Sequence, residues 1–278
     1  MGLNKRSDKR LVALRPAFFA LLIWSVLATG CTTAPERADA QASESGLDRL
    51  VLQGGPFSLR SYERSAAGRH AWVFIEGDGK PWLRGGRVVA PDPTPKRLLV
   101  LGWLNDVPGP ALYLGRPCYF GAFAEPSCNS LHWTFGRYSE DVVEGMAQGV
   151  QGWLRTRPEI DSLTLVGHSG GGVLALLMAE RLSRVTEVVA LSAPVDIDAW
   201  TGLHGYTPLF ASLSPARQAA WRANVQRRFY FGQDDREVPP EIFMPAAGAL
   251  PQAEVRVIEA TGHDCCDPDI WLDASSSK

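Results

Sequence analysis

A serine flanked by glycines occupies the middle of the segment Gly167-His168-Ser169-Gly170-Gly171. The G-x-S-x-G spacing is typical of a nucleophile elbow, a sharp turn between a strand and a helix that exposes a serine hydroxyl. Glycines suit this turn because the serine backbone is strained and larger neighbouring side chains would collide. Ser169 is therefore the candidate nucleophile, with a plain glycine-rich turn as the alternative. His168 is expected to pack within the elbow and to point away from Ser169.

A serine hydroxyl becomes a good nucleophile when a histidine accepts its proton and an acid orients that histidine. His263 is the candidate base, because it follows the last predicted strand near the C-terminus, where the chain order serine, acid, histidine places it. Asp235 is the candidate acid, since it follows a strand and stands three residues before Val238 in a D-x-x-V-P turn. Three other aspartates remain alternatives for the acid: Asp234, Asp196 and Asp198.

Strand-like segments alternate with helical segments around these residues. Predicted strands lie at 51–60, 70–76, 110–115, 162–167, 187–192, 228–232 and 254–259, and predicted helices at 96–105, 139–155 and 170–182. Thr94 and Ser139 are the expected caps of the first two helices. Near-continuous apolar strands separated by helices indicate an α/β protein with a mostly parallel central sheet and helices on both faces. The aromatic-rich segment 197–224 is expected to form a small lid.

Together these motifs resemble the α/β-hydrolase fold over residues 48–278. A narrower resemblance, to lipoprotein serine hydrolases of Gram-negative bacteria, rests on further segments: Ile75-Glu76-Gly77-Asp78-Gly79, Asp92-Pro93-Thr94-Pro95, Gly115-Arg116-Pro117-Cys118-Tyr119, Trp133-Thr134 and Arg137-Tyr138-Ser139. The resemblance implies that a single hydrolase domain occupies residues 47–278.

The resemblance also implies an oxyanion hole, a pair of N–H donors that stabilise the charged oxygen of a tetrahedral intermediate. The first implied donor is the amide of Gly170, the residue after the nucleophile. The second lies in the turn of residues 76–79, where we favour Asp78 and keep Gly79 as the alternative. This turn begins with Glu-Gly where the fold usually has His-Gly. The alternative interpretation is a plain loop that needs glycine only to adopt positive φ.

The expected function is that of a serine hydrolase that cleaves small-molecule or lipid carboxylic esters through an acyl-enzyme. Peptidase, thioesterase and acyltransferase activities stay open, because the shared tetrahedral chemistry does not identify the leaving group. A non-catalytic binding lipoprotein is the alternative of another class, disfavoured because nucleophile, acid, base and elbow glycines occur together. No cofactor is expected, and the cysteine spacing lacks the ligand pairs of a zinc site.

The amino-acid composition limits the classes of partner and of fold that the chain can have. The chain has 278 residues, 28 basic and 30 acidic, so its net charge is −2, and 45 % of its residues are hydrophobic. Neither sign of charge forms a long block, which makes nucleic acid a poor partner. The apolar content has no short repeat, which excludes disordered, collagen-like and coiled-coil chains.

Residues 1–30 have the pattern of an export signal, with a basic start and an apolar run too short to span a bilayer comfortably. The run ends in Leu27-Ala28-Thr29-Gly30-Cys31, which resembles a bacterial lipobox. We therefore expect a lipidated Cys31, a flexible tether over 31–46, and anchoring on the periplasmic side of the outer membrane. The alternative is an ordinary signal peptide cut near Gly30, which leaves Cys31 as an odd thiol.

Export places the other four cysteines in an oxidising compartment, where an even set favours disulfides. Cys118 and Cys128 are the favoured pair because they enclose a short loop. Cys265 and Cys266 would then bridge to each other or stay reduced, and a crossed pairing between the two regions remains open. Cys265 and Cys266 follow His263 by two and three residues, so whatever they bond to also restrains the candidate base.

Overall fold

The computed structural model describes residues 1–2 and 32–272 of the chain. In this part of the chain the strands are Asp48–Gly54 (β1), Phe57–Arg64 (β2), His70–Ile75 (β3), Trp82–Leu83 (β4), Val88–Val89 (β5), Ala111–Tyr113 (β6), Ser162–His168 (β7), Val185–Leu191 (β8), Gln226–Gly232 (β9) and Ala253–Ile258 (β10). The α-helices are Ala34–Glu44 (α1), Glu140–Arg155 (α2), Gly170–Ala179 (α3), Ile197–Leu203 (α4), Pro240–Gly248 (α5) and Pro268–Leu272 (α6). Residues 3–31, which include most of the proposed signal segment and the proposed lipidation site Cys31, lie outside the described residues.

Eight of these strands form one sheet in the order β1-β2-β6-β3-β7-β8-β9-β10, and β4 pairs with β5 separately. The strands from β6 to β10 along this order run parallel, whereas β1 and β2 form an antiparallel hairpin that joins β6 in antiparallel register. The expected mostly parallel central sheet is confirmed. Because the carboxyl ends of parallel strands share one edge, the loops after β3, β7, β9 and β10 emerge on the same side of the sheet.

The centre of the sheet is covered on both faces. Every residue from Ala71 to Ile75 is buried, and successive strand residues point to opposite faces. On one face, the Trp271 ring of α6 lies 5.8 Å from the Trp72 ring and 6.4 Å from the Phe74 ring, measured between centroids. The elements that carry the loops therefore form a packed and rigid base.

Helix α3 begins directly after Ser169, and all ten of its residues are buried. A helix that is apolar on every side belongs to the interior, where neighbours on all sides fix its position. Helix α2 begins after Ser139, whose side chain accepts a hydrogen bond from the Val142 amide, so the expected cap is confirmed.

Two predicted elements are wrong in detail. The single strand predicted at 51–60 is the hairpin of β1 and β2, with Gly55 at φ 59° in its turn. The helix predicted at 96–105 is a 3₁₀ helix over Val100–Asn105 only. Thr94 does not cap it, because the Thr94 amide and hydroxyl both donate to the Asp92 carboxylate, at 2.9 and 2.6 Å. An aspartate that binds the backbone two residues on favours a turn over a helix start.

Helix α1 occupies most of the segment for which composition predicts a flexible tether, so that prediction is wrong for residues 34–44. Ala38 and Ala42, one turn apart, are fully buried. Between them, the Asp39 carboxylate accepts hydrogen bonds from Arg60 at 2.7 Å and from the Tyr62 hydroxyl at 2.8 Å. Small polar residues fold here because distant residues of β2 supply partners that the local sequence does not reveal. Among the described residues, no helix is both long and apolar enough to cross a bilayer.

Candidate active site

Ser169 lies in the sharp turn between β7 and α3. Its φ of 52° and ψ of −124° are a strained combination for a residue with a side chain. A Cβ at Gly167 would collide with the backbone of Gly171, and a Cβ at Gly171 would collide with the carbonyl of Ile75. The glycines of the motif therefore allow the close backbone packing that holds Ser169 in this conformation.

A continuous chain of hydrogen bonds links Ser169 to His263 and Asp235. His263 Nε2 lies 3.1 Å from Ser169 Oγ, and His263 Nδ1 lies 2.9 Å from Asp235 Oδ2 and 3.1 Å from Oδ1. Ser169 follows β7, Asp235 follows β9, and His263 follows β10, so the shared edge of the sheet brings the three residues together. Such a chain can remove the serine proton and stabilise the resulting imidazolium.

Backbone amides hold the Asp235 carboxylate in place. Its Oδ1 accepts from the amides of Glu237 at 2.8 Å and Val238 at 2.9 Å, which explains the D-x-x-V-P spacing. Burial alone would raise the pKa of the Asp235 carboxyl, but the bonds from His263 and the two amides bring it below its ordinary value. An ionised Asp235 fixes the proton on His263 Nδ1 and leaves Nε2 free to accept from Ser169.

Two of the three alternative aspartates have side-chain partners elsewhere, and the third is exposed. Asp234 is exposed. Asp196 caps α4 by accepting from the amides of Asp198 and Ala199, both at 3.0 Å, and Asp198 forms an ion pair with Arg217 at 2.5 Å.

The Asp78 side chain lies close to Gly170, the residue after Ser169, in a cluster of buried polar groups that we call the Asp78 cluster. The carboxylate accepts from Arg116 Nη1 at 2.6 Å, Arg137 Nη1 at 2.8 Å and the Tyr138 hydroxyl at 2.6 Å, and the Tyr119 hydroxyl donates to the Asp78 carbonyl at 3.0 Å. Both arginine side chains are almost fully buried. Burial alone would raise the pKa of the Asp78 carboxyl, but the two arginines and Tyr138 lower it to about 2, so it stays ionised.

The Asp78 cluster reaches the residue after the nucleophile. A Cβ at Gly170 would collide with the Asp78 carboxylate and lie 2.6 Å from the Tyr138 hydroxyl oxygen. A Cβ at Gly77 would lie 3.4 Å from the Ser169 Cβ. The turn of residues 76–79, in which the sequence analysis expects the second oxyanion donor, therefore packs directly against the elbow.

The segment Asp92-Pro93-Thr94-Pro95 supports this turn from outside. The Lys80 amide donates to the Pro93 carbonyl at 2.8 Å, and Gly79, at φ 65°, approaches that carbonyl so closely that a Cβ would not fit. Sequence reasoning singled out Gly115-Arg116-Pro117-Cys118-Tyr119 and Arg137-Tyr138-Ser139 for a resemblance but missed that both segments converge on Asp78. Their two arginines and two tyrosines, unusual in so short a set of motifs, were the available signal.

Two further buried groups adjoin the site. His168 is packed within the elbow as expected, and its Nε2 lies 2.7 Å from the carbonyl oxygen of His263. Glu76, the first residue of the turn, is buried and accepts from the Val100 amide at 3.3 Å. Burial raises the pKa of the Glu76 carboxyl to about 8.

Both cysteine pairs adjoin the site. Cys118 and Cys128 form the disulfide favoured from the sequence, with Cα atoms 5.5 Å apart, and Cys265 is joined to its neighbour Cys266. The crossed pairing is therefore not the one adopted. The first bridge adjoins Arg116, and the second lies in the loop of His263.

Aromatic side chains of the segment 197–224 form a partly exposed surface. The Phe210 ring stacks on the Phe135 ring with centroids 5.0 Å apart, and Phe210 is 71 % exposed. The rings of Trp200 and His204 each contact Tyr206, with centroids 5.3 and 5.2 Å apart. Within residues 1–2 and 32–272, no group of three or more His, Cys, Asp or Glu side chains has the arrangement of a metal site.

Solved structures of hydrolases are similar to this chain. An esterase from Pyrococcus furiosus has a TM-score of 0.57 at 13 % identity, over 83 % of this chain and 88 % of the esterase. An acylaminoacyl peptidase from Pyrococcus horikoshii has a TM-score of 0.54 at 10 % identity; the match covers 78 % of this chain and only 37 % of the peptidase. No protein-family model and no curated protein matches the sequence. The sheet and these neighbours define the α/β-hydrolase fold.

Proposed function

We propose that the protein is a serine hydrolase that cleaves carboxylic esters of small molecules or lipids through an acyl-enzyme. The observation that carries the proposal is the hydrogen-bonded chain from Ser169 Oγ through His263 to Asp235, with distances of 3.1 and 2.9 Å. A nucleophile and base within hydrogen-bond reach, with the base oriented by a third group, is the arrangement that acyl transfer requires. The α/β-hydrolase fold and its esterase neighbour agree with this proposal.

In the proposed reaction, His263 Nε2 accepts the Ser169 proton while Ser169 Oγ bonds to the ester carbonyl carbon. The amides of Gly170 and Asp78 stabilise the oxyanion of the tetrahedral intermediate. The imidazolium then gives its proton to the leaving alcohol as the bond between carbonyl carbon and alcohol oxygen breaks, leaving an acyl group on Ser169. A water molecule, deprotonated by His263, repeats these steps and releases the carboxylic acid.

The test of this activity is turnover of p-nitrophenyl esters of graded acyl length by the wild-type protein and the Ser169→Ala variant. We expect turnover by the wild type and a loss of at least about 10⁴-fold in the variant, because the nucleophile is removed. A panel of esters, thioesters and acylated peptides compared by kcat/KM then identifies the leaving group. A folded wild-type protein inert to the whole panel would instead support a non-catalytic binding protein.

We further propose that Cys31 is lipidated and anchors an exported protein at the periplasmic side of the outer membrane, with segment 197–224 as a lid over the site. The lipobox-like segment before Cys31 supports the anchor, and the partly exposed aromatic residues support the lid. In cells, the wild type should partition into detergent and label with palmitate. The Cys31→Ser variant should do neither, and equal labelling of both would exclude the anchor at this residue.

A further inference from the structure

His263 lies in an exposed part of the chain. Glu259, Ala260, Gly262 and Asp264 around it are all exposed, and His263 itself is only half-buried. Its imidazole must nevertheless stay within hydrogen-bond reach of Ser169. A group that fixes the backbone of this loop relative to the elbow would hold that distance.

His168 supplies such a contact. Its Nε2 lies 2.7 Å from the carbonyl oxygen of His263, and because a carbonyl oxygen only accepts, His168 Nε2 must carry the proton. The two imidazole rings also pack edge to face, with centroids 5.1 Å apart. One side chain therefore contacts the base loop through both a hydrogen bond and ring packing.

The position of His168 in the chain makes this contact informative. His168 is the last residue of β7, is 7 % exposed, and directly precedes Ser169. Its backbone thus helps to place the nucleophile while its side chain holds the loop of the base. The positions of the nucleophile and of the base therefore both depend on one rigid residue at the centre of the sheet.

The charge of His168 also suits this role. Burial and the neighbouring His263 lower the pKa of His168 to about 4, so the ring is neutral near pH 7. A neutral ring adds no second positive charge beside the imidazolium that forms on His263 in the proposed reaction.

We propose that His168 is a positioning residue, which sets the distance between His263 Nε2 and Ser169 Oγ by donating a hydrogen bond to the His263 carbonyl. The inference rests on the proposed function, because its kinetic consequence is read in ester turnover. A displacement of about 1 Å at a catalytic group can cost on the order of 100-fold in rate. Loss of the donor should therefore lower kcat and leave KM almost unchanged.

His168→Gln and His168→Met form a matched pair for the test. The two replacement side chains are similar in length, but only glutamine has a terminal N–H that can reach the His263 carbonyl. With a p-nitrophenyl ester, we expect His168→Gln to keep kcat within about 3-fold of the wild type, whereas His168→Met loses between 10- and 100-fold with KM unchanged. Equal kcat values for the two variants, both high or both low, would overturn the proposal.

Two further measurements keep the test decisive. If His168→Met does not give a wild-type thermal transition, His168→Asn replaces it, since the shorter amide cannot reach the carbonyl and should show the same loss. Independently of any activity, ¹⁵N-histidine spectra of the Ser169→Ala variant should contain an exchange-protected imidazole N–H that disappears in His168→Gln. Absence of that signal contradicts the hydrogen bond itself, whereas an inert wild type that retains the signal contradicts only the hydrolase proposal.

Discussion

Two groups of residues near Ser169 are held in different ways: the Asp78 cluster, which we call the Asp78 side, and the loop of His263, which we call the base side. On one side, Asp78 is fixed by two buried arginines and two tyrosines, next to a disulfide. On the other, His263 lies in an exposed loop held by a few hydrogen bonds from the fold. Buried charges are costly unless every partner is present, so the first side should respond to mutation mainly in stability. The exposed loop around His263 has little burial to lose, so substitutions that displace this loop should act mainly on the rate.

The largest expected effect lies on the base side. Asp235→Asn should lower kcat for ester turnover by about 10⁴-fold, because the amide no longer fixes the His263 tautomer or stabilises the imidazolium. The free energy of unfolding of Asp235→Asn, measured by urea denaturation, should change by much less than the free-energy equivalent of this rate loss. Asp234→Asn, one residue away and exposed, is the matched control and should stay within 2-fold of the wild-type rate. A greater rate loss in Asp234→Asn than in Asp235→Asn would assign the role of the acid to Asp234.

On the Asp78 side, Arg137→Met should cost about 3–5 kcal/mol in the free energy of unfolding, because it leaves a buried carboxylate with one cationic partner fewer. Urea denaturation measures this cost. Arg256→Met, which breaks an exposed pair with Glu254, should cost at most about 1 kcal/mol. Similar losses in the two variants would show that the Asp78 cluster does not stabilise the fold as a buried network.

The two cysteine pairs should differ in the same way, one affecting mainly stability and the other mainly the rate. The Cys118→Ser, Cys128→Ser double variant should lose roughly 2–4 kcal/mol of stability with little change in kcat, because the bridge between these residues closes a loop on the Asp78 side. The Cys265→Ser, Cys266→Ser double variant should lower kcat, because this pair follows His263 and restrains its loop. Unchanged activity after dithiothreitol treatment that exposes two new thiols at Cys265 and Cys266 would refute the link between this pair and the base.

A further expected effect is a pH dependence of stability at Glu76, in the turn that contains Asp78. The pKa of Glu76 is about 8 in the folded protein, above its ordinary value of 4.5, so the folded state binds the proton more tightly. The stabilising contribution of Glu76 is then fully present below pH 4.5 and is lost as pH rises through about 8. Glu76→Gln removes this titration, and its stability relative to wild type should be higher at pH 8.5 than at pH 5. An equal difference at both pH values would contradict the raised pKa.

Local patterns predicted the parts of the molecule that depend on local chemistry. The apolar run of β7, the glycines of the elbow and the D-x-x-V-P turn were each visible in a few consecutive residues. The parallel sheet then brought Ser169, Asp235 and His263 to one edge.

Contacts between distant residues were not predictable in this way. Arg116 and Arg137 lie 38 and 59 positions from Asp78, and nothing in either segment names its partner. Helix α1 was missed for the same reason, since Arg60 and Tyr62 supply the contacts that order it around Asp39. The contact between His168 and the His263 carbonyl spans 95 positions and depends on the path of the final loop.

The central claim is that Ser169 is a nucleophile activated by His263. Intact-mass spectrometry after brief exposure to a fluorophosphonate tests it most directly, because the reagent traps an activated serine without requiring the natural substrate. The account predicts one adduct per chain, located at Ser169 by peptide mapping, none in Ser169→Ala, and strongly slowed formation in Asp235→Asn. An adduct on another serine, or equal labelling of the wild type and Ser169→Ala, would contradict it.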